Sequence, residues 1–425
     1  MDRRRFVLTG LVATLRPALS APTPRLVTLR EWMKGTLKER QQGLEKCLEQ
    51  IRLMDPSIHA WVQVSPEEPT GAGKLSGIPF GAKDIIETKG MATEYGSPIY
   101  KGRIGSADAA IVREMRQRGG VLLGKTQCTS FAYKTPPPTR NPKDLSHTPG
   151  GSSSGSAAAV AAGMIPIALG TQTRGSVLRP ASFCGVTGFK PSYGWFAMDG
   201  VLPLASTQDT LGLFTHSAAD MLLLWDALGR RTGADETFPL GVPDPLQEVE
   251  PEMATAFASA LSVLQRGGVS VRQVNVGDML DKIAGFNEMI MFYEGARFHK
   301  ERFEQYGSRL EDLADLVREG LKIPAERYEE AQQYIAQSKL HMAALLKATP
   351  VIVLPAAPGP APLGLASTGN AKMNAPWTAL GDPAISIPMP VGNALPLGLQ
   401  LTADYGQDAR VLRTAVSVQK ILGNG

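Results

Sequence analysis

The segment from residue 149 to residue 192 constrains the fold more than any other part of this chain, because it is crowded with glycine and other small residues. It reads PGGSSSGSAAAVAAG over 149–163 and GTQTRGSVLRPASFCGVTGFKPS over 170–192. Glycine has no Cβ, so it permits backbone conformations and close approaches that other residues exclude. The pattern predicts a helix of small side chains over 156–163 that packs tightly against its neighbours.

Apolar periodicity along the rest of the chain predicts strands and helices in alternation. Helices are predicted at 29–54, 106–118, 251–266, 284–306, 324–348 and 409–422, with Ser106 as the N-cap of the second. Strands are predicted at 58–64, 77–86, 121–124, 165–170, 351–354 and 384–388. This alternation, without an internal repeat or a linker, indicates one large α/β domain over residues 22–425.

Charge and composition exclude several classes of function. The 425 residues carry 44 Lys and Arg against 40 Asp and Glu, a formal net charge of +4, without a basic tract suited to a nucleic-acid backbone. A hydrophobic fraction of 43% excludes disorder. The 3 cysteines form no CxxC pair and the 5 histidines form no HxH or HxxxH pair. We therefore expect neither a disulfide framework nor a metal site.

Residues 1–21, MDRRRFVLTGLVATLRPALSA, have the organisation of an export signal. Arg3 and Arg4 are followed by one further residue and the apolar pair Phe6–Val7, as in the twin-arginine motif. The apolar run is too short to cross a hydrocarbon core about 30 Å thick as a helix, so we expect no stable membrane anchor. We predict a twin-arginine-type signal over 1–21 and a periplasmic protein. The alternative is the uncleaved N-terminus of a cytoplasmic protein.

One generic motif offers a different catalytic site. Gly151 to Gly155 satisfy GxSxG, which would make Ser153 the nucleophile of an α/β-hydrolase elbow. That elbow requires a buried strand immediately before it, whereas residues 141–149 read NPKDLSHTP, a polar stretch. The sequence therefore disfavours this site. It also favours helix core over a substrate pocket for the apolar run MIMFY at 289–293.

The small-residue segment and four other stretches together resemble the amidase signature family of amide hydrolases. These stretches are GIPFGAKDI at 77–85, TRNP at 139–142, DTLG at 209–212 and MNAPWTALGDPAISIP at 373–388. The resemblance implies a single large domain with a mixed β-sheet core flanked by helices. It also implies hydrolysis of a carboxamide to a carboxylic acid and ammonia or an amine, through an acyl-serine intermediate and without a cofactor.

The same resemblance implies a Ser–cis-Ser–Lys triad made of Ser176, Ser152 and Lys83. Ser176 would be the nucleophile, and Lys83 would be the base that takes its proton through Ser152. Ser152 would follow a cis peptide bond from the supporting residue Gly151. The backbone N–H groups expected to form the oxyanion hole are those of Thr173, Arg174, Gly175 and Ser176.

Elementary chemistry supports a lysine in this place. A serine hydroxyl needs a base during its attack, and no histidine motif offers one. A lysine acts as a base only when it is neutral, so its pKa must fall by roughly 3 units from about 10.4 to work near neutral pH. Lys83 ends the apolar stretch 78–82, which would supply the desolvation. Asp84 would point to the opposite face of the strand and would not restore the charge.

Three positions depart from the commoner family pattern. Gln172 and Arg174 stand where the family usually has aspartate and glycine, and Arg179 lies one position later than the family arginine. Arg174 matters most, because it brings a bulky cation into the expected oxyanion turn. Either its side chain points away while its N–H group still contributes, or the side chain favours an anionic substrate.

Two other functions stay open at this point. A glutaminase-type amidotransferase subunit belongs to the same family, but it would act in the cytoplasm on misacylated tRNA with a partner subunit. The alternative from another class is a non-catalytic periplasmic ligand-binding protein on an amidase scaffold. For the amidase we expect a small-molecule amide substrate and no nucleic-acid partner, and a homodimer stays open.

Overall fold

The computed structural model describes residues 26–69, 73–234 and 239–423 and shows a single large sheet. Its strands are β1 (Trp61–Val64), β2 (Pro79–Lys83), β3 (Val121–Thr126), β4 (Ile167–Gln172), β5 (Thr187–Lys190), β6 (Thr210–Thr215), β7 (Leu240–Asp244), β8 (Val271–Asn275), β9 (Val351–Pro355), β10 (Ala384–Pro388) and β11 (Gly398–Ala403). Their order across the sheet is β1-β3-β2-β4-β6-β5-β10-β11-β9-β7-β8. β2 is parallel to β3 and β4, and β7 is parallel to β8 and β9, whereas the other neighbours are antiparallel. The predicted mixed sheet is confirmed.

Helices flank this sheet. They are α1 (Leu29–Lys34), α2 (Leu37–Ile58), α3 (Ala110–Gln117), α4 (Ser154–Ala161), α5 (Leu178–Cys184), α6 (Ala218–Ala227), α7 (Pro251–Arg266), α8 (Gly277–Phe298), α9 (Lys300–Tyr306), α10 (Asp312–Gly320), α11 (Ala325–Leu346), α12 (Ala375–Leu380) and α13 (Asp408–Ile421). None of the helices in the described ranges has both the length and the apolar character needed to cross a membrane. The export signal predicted at 1–21 lies outside the described residues.

The helix predicted at 106–118 begins later than expected. α3 starts at Ala110, and its N-cap is Ala109 rather than Ser106. The residues before it pair with the loop after β2, because the Gly105 N–H donates to Met91 O and the Ala109 N–H donates to Glu87 O, each at 2.9 Å. These bonds hold Ser106 outside the helix, so its side chain cannot serve as the cap.

The helix predicted at 29–54 is two helices, α1 and α2. Each begins with a capping box, in which a threonine side chain accepts from a backbone N–H three residues later and a glutamate returns the bond. The threonines are Thr28 and Thr36, and the glutamates are Glu31 and Glu39. The second capping box marks a helix start that apolar spacing alone did not indicate.

The predicted small-residue helix is α4, and it allows the strands around the site to lie close together. All of its residues up to Val160 are buried. A Cβ on Gly155 would lie 2.2 Å from the carbonyl oxygen of Ala60, so only glycine fits at this point. Ser156 Oγ donates to Leu169 O on β4 at 2.9 Å. α4 therefore lies directly against the sheet and fixes the turn that precedes it.

Candidate active site

Lys83 lies at the carboxyl end of β2, and its side chain is completely buried. Its Nζ donates to Ser152 Oγ at 2.7 Å and to Thr171 Oγ1 at 2.8 Å. β2 and β4 are parallel neighbours, so the ends of both strands meet at one edge of the sheet and bring Lys83 beside Thr171. The lysine thus has two hydroxyl partners, and no carboxylate forms an ion pair with it in the described parts of the chain.

The electrostatic surroundings of Lys83 suit a base. Burial lowers the pKa of Lys83 to about 8, and the more distant Cys128 and Asp209 oppose that shift only in part. Asp84 is turned away, as the strand geometry predicted. Its carboxylate accepts from the backbone N–H groups of Glu94 at 3.0 Å and Gly96 at 2.9 Å. The Asp84 carboxylate is therefore bonded to backbone N–H groups and forms no ion pair that would stabilise the protonated form of Lys83.

Ser152 lies in the turn before α4, and the peptide bond between Gly151 and Ser152 is cis, as the resemblance implied. Ser152 is buried, and its carbonyl oxygen accepts from the Thr129 N–H at 3.2 Å. The carbonyl oxygen of Gly151 accepts from Arg179 Nη2 at 2.6 Å. These contacts fix the backbone on both sides of Ser152 while its hydroxyl faces Lys83.

Ser153 has a different environment from Ser152. Its Oγ donates to Thr171 O at 3.2 Å, and the residue is completely buried. Residues 145–153 form turns and irregular structure rather than a strand. The nucleophile elbow that GxSxG would require is therefore absent, as the sequence context predicted.

Ser176 lies in the turn between β4 and α5 and opens into a pocket. The residue is 8% exposed, and its hydroxyl has no hydrogen-bond partner among the described residues. The Ser176 carbonyl oxygen accepts from the Ser153 N–H at 3.3 Å, which holds the two turns side by side. The structure thus brings Lys83 and Ser152 into direct contact and places Ser176 on the adjoining turn, facing the pocket.

The turn that carries Ser176 leaves several amides uncommitted. The N–H groups of Arg174, Gly175 and Ser176 have no acceptor within the part of the chain that the structure describes. The carbonyl groups of this turn are held, because Thr173 O accepts from Asn287 Nδ2 at 3.1 Å and Arg174 O accepts from Thr378 Oγ1 at 2.8 Å. Uncommitted backbone donors of this kind are the groups from which an oxyanion hole is built.

Gln172 and Arg174, two of the unusual residues, have defined partners. Gln172 Oε1 accepts from the N–H groups of Val177 at 2.9 Å and Leu178 at 3.1 Å, which joins the turn to the start of α5. Arg174 Nε donates to Asn287 Oδ1 at 3.1 Å, and its Nη1 donates to Glu288 Oε1 at 2.8 Å. The Arg174 side chain is thus directed toward α8 while its N–H stays in the turn, which fits the first of the two explanations for this arginine.

The pocket beside Ser176 has a volume of about 150 Å³. It is lined by Ala132, Tyr133, Lys134, Thr173, Arg174, Ser176, Arg179, Leu204, Met291, Thr368, Gly369, Asn370 and Ala371. Met291 belongs to the run at 289–293 for which the sequence favours helix core over a substrate pocket. It is buried in α8, as that prediction has it, and it also forms part of the pocket wall. No group of three or more His, Cys, Asp or Glu side chains suited to a metal ion occurs within the described ranges.

The comparisons with known proteins agree with this geometry. A family model described as Amidase matches residues 43–412. The chain belongs to the amidase family. A glutamyl-tRNA(Gln) amidotransferase subunit from Thermotoga maritima is 30% identical over 458 residues, which cover 93% of this chain and 95% of that protein.

Solved structures give the same family placement for this amidase fold. A crystal structure of an amidase matches with a TM-score of 0.83 at 28% identity and covers 93% of this chain and 100% of that one. The crystal structure of the Thermotoga maritima amidotransferase subunit matches with a TM-score of 0.80 at 29% identity and covers 92% and 94% of the two chains. The predicted family, fold and enzyme class are confirmed.

Three residues that shape this amidase site were not predicted. Thr171 binds Lys83, Asp209 accepts from Thr173 Oγ1 at 2.5 Å, and Asn287 donates to the carbonyl oxygen of Thr173 in the turn before Ser176. Asp209 lies in the DTLG stretch that carried part of the resemblance, so its motif was a usable signal. Thr171 could have been inferred from the meeting of parallel strand ends, whereas nothing in the sequence around Asn287 indicates its contact.

Proposed function

We propose that the chain hydrolyses a carboxamide to a carboxylic acid and ammonia or an amine, with Ser176 as the nucleophile and Lys83 as the base that acts through Ser152. The observation that carries this proposal is the buried contact of 2.7 Å between Lys83 Nζ and Ser152 Oγ, beside a turn from which Ser176 faces a pocket. The family placement supports the reaction class, and the geometry supports the assignment of roles.

The first half of the reaction carries a proton from Ser176 to Lys83 in two transfers and forms one carbon–oxygen bond. Neutral Lys83 has a lone pair and receives the proton of Ser152, while Ser152 receives the proton of Ser176. The Ser176 oxygen forms a bond to the amide carbon, and the carbonyl electron pair moves onto the carbonyl oxygen. The uncommitted N–H groups of Arg174, Gly175 and Ser176 stabilise that negative charge.

The second half returns the proton and releases both products. The Lys83 ammonium gives its proton back through Ser152 to the leaving nitrogen as the carbon–nitrogen bond breaks. Ammonia or an amine departs, and the acyl group stays on Ser176. Water then attacks the ester, with the same relay removing its proton, and the carboxylic acid leaves as Ser176 regains its hydrogen.

The proposal is tested by active-site labelling and amide turnover. A fluorophosphonate should form a covalent bond to Ser176, located by mass spectrometry, and Ser176→Ala should abolish both the label and hydrolysis of simple amides. Ser154→Ala is a suitable control, because that hydroxyl donates to Gly150 O at 2.7 Å, whereas Lys83 bonds the hydroxyls of Ser152 and Thr171. Unchanged turnover in Ser176→Ala would overturn the mechanism, and labelling without turnover on any amide would favour a binding protein.

The glutaminase subunit is the second candidate, because the Thermotoga maritima amidotransferase subunit is 30% identical to this chain. Glutamine carries an ammonium group as well as a carboxylate, and recognition of an ammonium group calls for an acidic side chain. None of the described residues that line the pocket is acidic. We therefore expect slow hydrolysis of glutamine compared with amides that lack an ammonium group. Glutamine as the preferred substrate would support the amidotransferase function instead.

We also propose that the protein is exported to the periplasm by the segment 1–21. The support is the arginine pair before a short apolar run in the sequence. Fusion of this segment to a reporter that functions only after export should give a signal, and Arg3→Lys with Arg4→Lys should abolish it. A reporter that stays in the cytoplasm with the unaltered segment would contradict export without affecting the proposed chemistry.

A further inference from the structure

Arg179 is a buried charged group of the pocket whose bonding is incomplete. It is only 7% exposed, and no ion pair reaches it within the described ranges. Its Nη2 donates to Gly151 O at 2.6 Å and to Thr368 Oγ1 at 3.2 Å, and both of these acceptors are neutral. Its Nε is buried without an acceptor. A guanidinium in this state has donors and a charge to offer a ligand.

The charge of Arg179 is costly to hold without an anion. Transfer of a cation out of water is compensated in proteins by an acidic partner or by several good hydrogen bonds. Burial, together with the neighbouring Arg174 charge, lowers the pKa of Arg179 to about 9. An anion that enters the pocket would stabilise the charged guanidinium and gain a charge-assisted hydrogen bond.

The other cations of the pocket are less suited to this task. Arg174 is already paired with Glu288 through a contact of 2.8 Å. Lys134 is exposed and lies over the ring of Tyr133, with Nζ 5.5 Å from the ring centroid. Among the described lining residues, Arg179 therefore combines deep burial with an unpaired charge.

We propose that this pocket binds an amide whose acyl part carries a carboxylate, and that Arg179 binds the carboxylate while Ser176 attacks the amide carbonyl. The inference rests on the hydrolase function proposed above and names its substrate class, the monoamides of dicarboxylic acids. Ser176 and Arg179 lie in one helical turn, because the Arg179 N–H donates to Gly175 O at 3.0 Å. Residues three apart in such a turn face the same side, so both side chains reach the same pocket.

The first experiment uses the unaltered protein and matched pairs of substrates. Each monoamide in a series of increasing chain length is compared with the uncharged alkyl amide of the same shape. We expect kcat/KM for the best monoamide to exceed that of its neutral partner about 10- to 100-fold, the range of a hydrogen bond to a charged group. Equal kcat/KM values across the series, or a preference for the neutral amides, would overturn the inference and leave the hydrolase function standing.

The second experiment separates carboxylate binding from the structural contact to Gly151. Arg179→Met removes both, so turnover of both substrates should fall, but the preference for the charged substrate should also be lost. Arg179→Lys should restore part of that preference. Arg118→Met is the matched control, because Arg118 donates to Leu228 O near the opposite end of β3 and should keep the preference intact. If Arg179→Met lowered both activities equally, Arg179 would have only a structural role.

The third measurement does not depend on turnover. Calorimetry with Ser176→Ala should show binding of the dicarboxylate product, and adding Arg179→Met should weaken that binding about 10-fold or more. Arg179-dependent binding by a protein that hydrolyses no amide would support the carboxylate site and overturn the hydrolase function. Absence of binding in Ser176→Ala, with its fold confirmed by circular dichroism, would overturn the carboxylate site.

Discussion

Two buried lysines on neighbouring strands, Lys83 on β2 and Lys125 on β3, differ in their partners and not in their burial. Both side chains are completely buried, and burial lowers the pKa of each to about 8. Lys83 Nζ contacts the hydroxyls of Ser152 and Thr171. Lys125 Nζ donates to Ile86 O at 2.5 Å and to Thr93 Oγ1 at 2.9 Å, and the Asp84 charge favours its protonated form.

This difference shows that a low pKa by itself does not identify a catalytic base. A carbonyl oxygen only accepts hydrogen bonds, so Ile86 can hold an N–H of Lys125 but cannot pass a proton onward. A serine hydroxyl both donates and accepts, so Ser152 can pass a proton to Lys83 and take one from another group. Lys125 also bonds a hydroxyl, that of Thr93, so neither desolvation nor a hydroxyl partner alone distinguishes the two lysines. Lys83 differs because its partner Ser152 lies on a turn that adjoins the turn of Ser176 and the pocket.

The largest effect is expected when the two lysines are exchanged for methionine in separate variants. Lys83→Met should lower kcat by a factor of about 1,000 or more, because removal of a general base with its relay leaves only binding and oxyanion stabilisation. Lys125→Met should keep kcat within a few-fold and lower the free energy of unfolding by roughly 3 kcal/mol, because Asp84 stays buried without its cation. Initial rates per folded molecule and thermal unfolding measure both. Equal loss of kcat in the two variants would remove the distinction.

The next effect compares the adjacent serines Ser152 and Ser153. Ser152→Ala should lower kcat about 100- to 1,000-fold, because it breaks the proposed proton path between Lys83 and Ser176. Ser153→Ala should change kcat by less than about 3-fold and cost about 1 kcal/mol of stability, since its hydroxyl bonds only the Thr171 backbone. Steady-state kinetics with melting temperatures separate the two effects. A greater loss of kcat in Ser153→Ala than in Ser152→Ala would support Ser153 as the nucleophile of an elbow and contradict the proposed roles.

Features set by neighbouring residues could be predicted from the sequence, whereas contacts between residues far apart along the chain could not. Lys83, Ser152 and Ser176 were proposed as site residues because each lies in a local motif, and the structure brings Lys83 and Ser152 into contact. The partners of these residues lie far along the chain, since Thr171 is 88 residues from Lys83 and Asn287 is 114 residues from Thr173. Such contacts depend on strand order and helix packing, which local patterns do not encode.

The fold prediction has the same limit. The apolar stretches predicted β2 and β4, which are buried along their whole length, and β10, which is buried at all of its residues except Pro388. The strand β8 was not predicted, because three of its five residues are exposed and its sequence, VRQVN, carries little apolar signal. Its place is determined by parallel pairing with β7 over Leu240 to Asp244. Alternation of strands and helices thus predicts the class, whereas strand pairing completes the sheet.

The smallest of the variant effects concerns Thr171, which orients the lysine but passes no proton in the proposed relay. Thr171→Val keeps the shape of the side chain and removes the acceptor of a 2.8 Å bond from Lys83. We expect kcat to fall about 10-fold, the range of one charged hydrogen bond, and Thr171→Ser to recover most of the loss. Without this acceptor the ammonium form of Lys83 is less stable, so the pKa of Lys83 should fall. The acid limb of the pH–rate profile should then shift to lower pH. A limb that moved to higher pH would contradict the bond.

The most direct test of the central claim is the rate of fluorophosphonate labelling at Ser176 as a function of pH. Only neutral Lys83 can accept the proton, so the rate should rise with pH through about 8 and level off above it. The Lys125→Met protein should show the same rise of labelling rate with pH. The Lys83→Met protein should label slowly, and its rate should not show this rise. A limb that disappears in Lys125→Met and persists in Lys83→Met would contradict the assignment of Lys83 as the base.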